Sequence, residues 1–218
     1  MMIYNLYLYA SDIVVSFYLL RELIMVSLRK DQTVSLSKQA PALSHLMFGL
    51  GWDPIKKKGF LGGLFGGNNS IDLDASCVLL DVNGKQIDTI WFRKLKSTCQ
   101  SVIHSGDNLT GEGDGDDETI FVDLNRLPSL VEYLVFTVNS FRGQTFNEVE
   151  NAFCRVVDKT TNKELAHYKL TEQGAHTGIV IAALQRNHGQ WDFTAFGSPC
   201  KGLVIDEMMP DILATVVR

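Results

Sequence analysis

The stretch Ile71-Asp72-Leu73-Asp74-Ala75-Ser76-Cys77-Val78-Leu79-Leu80-Asp81 is followed by Asn83-Gly84 and then by Ile87-Asp88-Thr89-Ile90-Trp91-Phe92. Asn-Gly between two apolar, β-rich runs is a strong signal for a tight hairpin turn, so this segment reads as strand, turn, strand. The rhythm continues on both sides. Upstream, Ser35-Leu36-Ser37 reads as a short strand and Leu43 to Trp52 as a longer one. Downstream, strands are expected at Thr119 to Leu124, Tyr133 to Asn139, Ala152 to Asp158, Leu165 to Leu170, Gly178 to Gln185 and Trp191 to Phe196, with a further one ending near His104. Asn162 and Asn187-His188-Gly189 sit where hairpin turns belong. Many short strands at close spacing, with few helix-length amphipathic patterns, predict an all-β fold: an antiparallel β-sandwich with a few short helices and an acidic loop. The helices are expected near Leu127 to Leu130 and Thr145 to Val149.

A chain of 218 residues is long enough for one domain with a sizeable core and short for two. Apolar residues make up 45% and charged residues 21%, which excludes disordered, collagen-like and coiled-coil chains. The net charge of −5 is the wrong sign for collecting phosphate backbones, so nucleic acid is not an expected partner. Four cysteines, at 77, 99, 154 and 200, form no C-x-x-C pair and have no His at zinc-finger spacing; reduced thiols in a cytoplasmic protein fit them best.

Residues 1–24 differ from the rest. The apolar run Ile13 to Leu20 is too short to span a membrane, which takes about 20 residues, and it is interrupted by Arg21-Glu22. No basic residue precedes it and Asp12 stands in front of it, unlike a signal peptide. It is either an amphipathic helix or translated upstream sequence; the pattern that continues smoothly from Met25 favours a true start at Met25 and a single domain over 25–218.

Two segments break the strand rhythm. In Glu112 to Glu118 five of seven residues are acidic: Glu112, Asp114, Asp116, Asp117 and Glu118, separated only by glycines. Such a tract is ordinarily solvated and disordered. This one is short, internal and tethered at both ends by strands, and its glycines let carboxylates and carbonyls converge. Six to eight converging hard oxygens are what calcium requires, whereas magnesium keeps its waters. An EF-hand is excluded by register: a loop begun at Asp107 puts Leu109 and Gly111 at ligand positions and Glu112 where glycine is needed. Asp72 and Asp74 share one face of their strand because side chains alternate. They form either a polar outer face or, beside the acidic loop, the rest of a coordination shell.

Taken together, Gly51-Trp52-Asp53, Asp72-Leu73-Asp74-Ala75-Ser76 and the run from Gly106-Asp107-Asn108-Leu109-Thr110-Gly111 to Glu118 resemble the TerD family of bacterial tellurium-resistance and stress proteins. The resemblance covers Met25 to about Gly202. It implies a calcium-binding β-sandwich that is not an enzyme, encoded and acting with other tellurite-resistance proteins; a membrane-bound partner is expected instead from the Lys- and Gly-rich segment Pro54 to Ser70. It also implies the ligands: Asp72, Asp74, Asp107, Asp114, Asp116, Asp117 and Glu118, with Asn108 and Glu112 as neighbours; two calcium ions are expected because they would cancel most of the charge of the acidic tract.

No nucleophile elbow, Walker loop or i, i+4 His pair supports an enzyme. The alternative is a metal-dependent hydrolase that uses the same carboxylates to hold catalytic cations. His104, close to the acidic loop, is expected to be structural rather than a general base. The second unusual segment, Pro54 to Ser70, places Lys56, Lys57 and Lys58 before Phe60, Leu61, Leu64 and Phe65 on a glycine-rich loop. It either covers a sandwich edge or docks on a partner or an anionic membrane surface, which predicts a cytoplasmic protein with peripheral contact at the inner membrane face.

Overall fold

The computed structural model describes residues 26–54, 72–106, 115–140 and 142–217. Among these residues two six-stranded sheets face each other across one apolar core. The first runs in the order β1 (Val26–Leu28), β10 (Lys163–Lys169), β9 (Val149–Asp158), β3 (His45–Pro54), β7 (Glu118–Asp123), β6 (Val102–His104). The second runs β2 (Thr33–Ser35), β12 (Gln190–Cys200), β11 (Gly178–Asn187), β8 (Tyr133–Ser140), β4 (Leu73–Leu80), β5 (Gln86–Ile90). Phe48 of β3 and Phe136 of β8, both fully buried, stack with ring centroids 4.1 Å apart and join the sheets at the centre of the core.

The turns follow the sequence signals. Gly84 adopts φ +77° between β4 and β5, Asn162 +56° between β9 and β10, and His188 and Gly189 +48° and +76° between β11 and β12. These positive values suit Gly and Asn, and two in succession give the twist that a two-residue hairpin needs.

The sandwich differs from expectation in four places. It is mixed rather than purely antiparallel, because β1 pairs with β10 in parallel, Val26 opposite Ala166; such a pair has no connecting turn to announce it. The strand expected at Ser35-Leu36-Ser37 ends at Ser35, and Leu36–Gln39 form one helical turn, α1, which drives Leu36 wholly into the core. Leu127 to Leu130 are not helical: Leu127 is buried and Leu130 is exposed, in a turn closed by the Val131 N–H to Pro128. The short helix expected at Thr145 to Val149 is a single 3-10 turn, Phe146–Glu148.

The tail after Gly202 forms a helix, α2 (Ile205–Val216), whose Ile205, Met208, Ile212 and Val216 are buried against Val78, Leu80, Val135 and Val180 on the outer face of the second sheet. The same cover explains why every residue of β4 is buried: its odd positions face the main core and its even ones face α2 or the loop before it. Cys77 and Cys154 are fully buried free thiols, and burial pushes both far above the ordinary cysteine range, so they pack as small hydrophobes. Trp52 and Trp191 are buried and Trp91 is half-buried.

Candidate metal centre

The acidic residues collect at the end of the sandwich where β3 finishes and β4 and β7 begin. Three consecutive carboxylates enter β7 in three different ways. Asp116 lies on the outer face of the first sheet and takes a bidentate pair from Arg155 of β9, Nε at 2.8 Å and Nη2 at 2.9 Å. Asp117 accepts the Trp52 N–H at 2.8 Å and donates its own N–H to Leu50 at 2.7 Å, which stitches this segment to the end of β3. Glu118, wholly buried, points inward and accepts the Ala75 N–H of β4 at 2.7 Å, linking the two sheets.

Gly49 and Gly51 make this approach possible. A Cβ at position 49 would lie 2.4 Å from the Asp116 carboxylate, and one at position 51 would meet the Phe153 ring at 2.4 Å and the Gly115 carbonyl at 2.6 Å. The sequence signal for both was available: glycines at alternate positions of a strand mark one face that another chain segment must touch. Arg155, 39 residues from Asp116, carried no such signal.

Asp117 is held above the ordinary carboxylate range by burial first and then by the charges of Asp53, Glu118 and Asp116, with the Trp52 hydrogen bond pulling the other way. These four acidic side chains therefore crowd one another. Asp72 and Asp74, both buried, belong to a second group: the alternation of β4 puts Asp74 on the side of α2 rather than the core, and Asp72 pairs with Arg142 at 2.9 Å. The structure thus brings Asp116, Asp117 and Glu118 together and places Asp72 and Asp74 across β4 from Glu118, at the same end of the sandwich. Asp107, Asn108, Glu112 and Asp114, which lie between them in the loop, fall outside the described residues, as do Lys56, Lys57, Lys58, Phe60, Leu61, Leu64 and Phe65. Among the described residues no three His, Cys, Asp or Glu side chains converge on a point that could hold a metal ion.

His104 lies at the heart of this end. The Gly106 N–H donates to its Nδ1 at 3.0 Å, so the ring proton sits on Nε2, which donates to the Ala75 carbonyl at 3.1 Å and lies 3.4 Å from Glu118. With both nitrogens committed and the residue 2% exposed, it has no lone pair to offer a substrate or a metal. It fixes β6 and β7 of one sheet to β4 of the other.

The arrangement is that of a two-sheet sandwich whose carboxylate-rich end is pinned by its own backbone. The TerD domain family matches residues 24–210, and the chain belongs to that family, whose relatives carry tellurium-resistance and stress-response names. It is 74% identical over 194 residues to the tellurium resistance protein TerZ of Serratia marcescens, covering 89% of this chain and 100% of TerZ. It is 42% identical over 202 residues to the stress response protein SCP2 of Bacillus subtilis (strain 168), covering 88% and 99% of the two chains. The crystal structure of SCO6318 from Streptomyces coelicolor A3(2), described as a homologue of telluride resistance protein (TerD), superposes with TM-score 0.60 at 21% identity, covering 80% of this chain and 97% of that one. The family match runs past Gly202 and takes in the first half of α2, up to Pro210.

Proposed function

We propose that this chain is a calcium-binding, non-enzymatic module of the tellurite-resistance and stress response, which takes two ions at its acidic end. The observation that carries the reading is the crowding at Asp117. A half-buried carboxylate surrounded by Asp53, Asp116 and Glu118 is destabilised by like charge, and a divalent cation beside it removes that penalty. The named donors fit calcium: all are oxygens, and most of them are carboxylates. Asp117 would serve one ion and Asp72 and Asp74 the other, each completed by Asp107, Asn108, Glu112 and Asp114. Asp116 and Glu118, engaged by Arg155 and the Ala75 N–H, act chiefly as the fixed frame. A hydrolase is disfavoured because His104 has both nitrogens occupied and is no general base.

Thermal melts of the full chain in calcium and in chelator test the reading. Calcium at a hundredfold excess over its dissociation constant adds about 2.7 kcal/mol of stability; an unchanged midpoint at millimolar calcium removes it. Asp72→Asn with Asp74→Asn is expected to eliminate one of two calorimetric binding events, whereas an unaltered isotherm makes that pair only a strand face. Turnover of generic phosphoesters with magnesium or manganese would instead establish the hydrolase. The Lys56 to Phe65 loop is proposed to dock this end on a membrane-bound partner or anionic lipid once calcium is bound. Sedimentation with anionic vesicles, compared for the natural chain and Phe60→Ser with Phe65→Ser, checks that step.

A further inference from the structure

The two outer faces of the sandwich are treated differently. That of the second sheet is covered by α2. On the first sheet the strand register lines up Ile103 of β6, Phe121 of β7, Met47 of β3 and Val157 of β9 side by side, an apolar row crossing four strands. Ile103 and Phe121 remain 37% and 36% exposed, and no helix among the described residues lies over them. Single exposed apolar side chains are ordinary, but here two cross-strand neighbours line a groove of about 380 Å³, within the range of small-molecule sites.

The polar side of the groove is built from a neighbouring part of the fold. His45 Nε2 lies 3.6 Å from the Asp123 carboxylate, and Arg126 and Lys159 stand on the same rim. Among the described residues the Arg126 and Lys159 side chains take part in no hydrogen bond or ion pair. Gln100, also on the rim, holds φ +57° in the turn that its N–H closes by donating to the Ser97 carbonyl. Two uncommitted cations beside an apolar trough, on a chain of net charge −5, select a ligand by charge as well as by shape.

We infer that this groove binds a small organic anion, with an apolar body lying on Ile103 and Phe121 and a phosphate or carboxylate head held by Arg126 and Lys159. The site is independent of the calcium reading. It lies at the Asp123 end of β7, about 17 Å along the strand from Glu118.

Phenyl phosphate and octanoate, titrated into the ¹⁵N-labelled full chain, serve as probes with the two kinds of head and body. Inorganic phosphate and benzyl alcohol serve as half-ligands. Saturable shifts confined to the amides of residues 100–103, 121–126 and 159–160 are expected for at least one probe, with each half-ligand binding at least about tenfold more weakly. Arg126→Ala with Lys159→Ala changes exposed side chains and should weaken the probe about tenfold without moving the thermal midpoint, whereas Phe121→Ser should weaken it as much while lowering the midpoint, because most of that ring is covered. Shifts at the acidic end, equal affinity for inorganic phosphate alone, no saturation at millimolar probe, or a dimer abolished by Phe121→Ser would each overturn the assignment. The half-ligand comparison decides the matter on the unaltered protein even if a variant is unstable.

Discussion

A methyl group at position 49 would sit 2.4 Å from the Asp116 carboxylate, closer than any real Cβ contact, so one hydrogen atom on Gly49 holds the place of the acidic segment against the first sheet. Gly49→Ala therefore forces Asp116 off Arg155 or bends β3, and a loss of about 1–3 kcal/mol is expected in urea unfolding. A stability equal to that of the natural chain would mean that Asp116 moves aside freely. Glu118 gives a second test at the same scale. Glu118→Ala leaves the buried Ala75 N–H without its acceptor, for about 1–3 kcal/mol, whereas Glu118→Gln keeps an oxygen there and should lose less. Comparison of the two variants separates the hydrogen bond from the charge.

At the scale of elements, α2 is what makes β4 possible. A strand buried on both faces needs two covers, and Ile212, fully buried on the helix, supplies part of the second. Ile212→Ala is expected to lower stability by about 2–5 kcal/mol in denaturant titration, as a core substitution does and a tail substitution does not. The helix escaped a reading of the sequence because Pro210 lies inside it, where proline ordinarily ends a helix, and because a strand rhythm had been established over the preceding 170 residues. Yet Ile205, Met208, Ile212 and Val216 follow helical spacing, and the near-continuous apolar run of β4 already asked for a cover on each side. The hairpins at Asn83-Gly84 and Asn187-His188-Gly189 were legible because their chemistry is local. The parallel β1–β10 pair and the Arg155–Asp116 pair were not, since each joins segments that only the folded chain brings together. In the same way the acidic residues were visible as composition, but their division into a group around Asp117 and the pair Asp72 and Asp74 on the far side of β4 comes from the strand alternation.

At the scale of the whole molecule, the crowded end sets how stability depends on both pH and calcium. The Asp117 carboxyl is raised on folding, so the folded chain binds its proton more tightly than the unfolded chain does. Its charge is a burden above the folded range, and that burden is relieved as the pH falls through it. Asp88 works the other way. Burial alone would raise it, but hydrogen bonds from Lys94, Thr98 and Thr89 hold it below the ordinary range, so it contributes stability that is lost at more acid pH. In chelator, mild acidification from neutral pH should therefore raise the melting temperature before stronger acid lowers it. Asp117→Asn separates the terms, because the amide oxygen can still accept the Trp52 N–H while the charge is gone. In chelator this variant should melt above the natural chain and lose the acid-side rise. In calcium it should melt below, because the charge that was a burden without the metal is the one the metal uses. Differential scanning calorimetry of both proteins in both conditions reads this crossing of order. If Asp117→Asn shifts the midpoint in the same direction with and without calcium, the charge at Asp117 does not meet the ion, and the crowding at this end is only a strain that the fold tolerates.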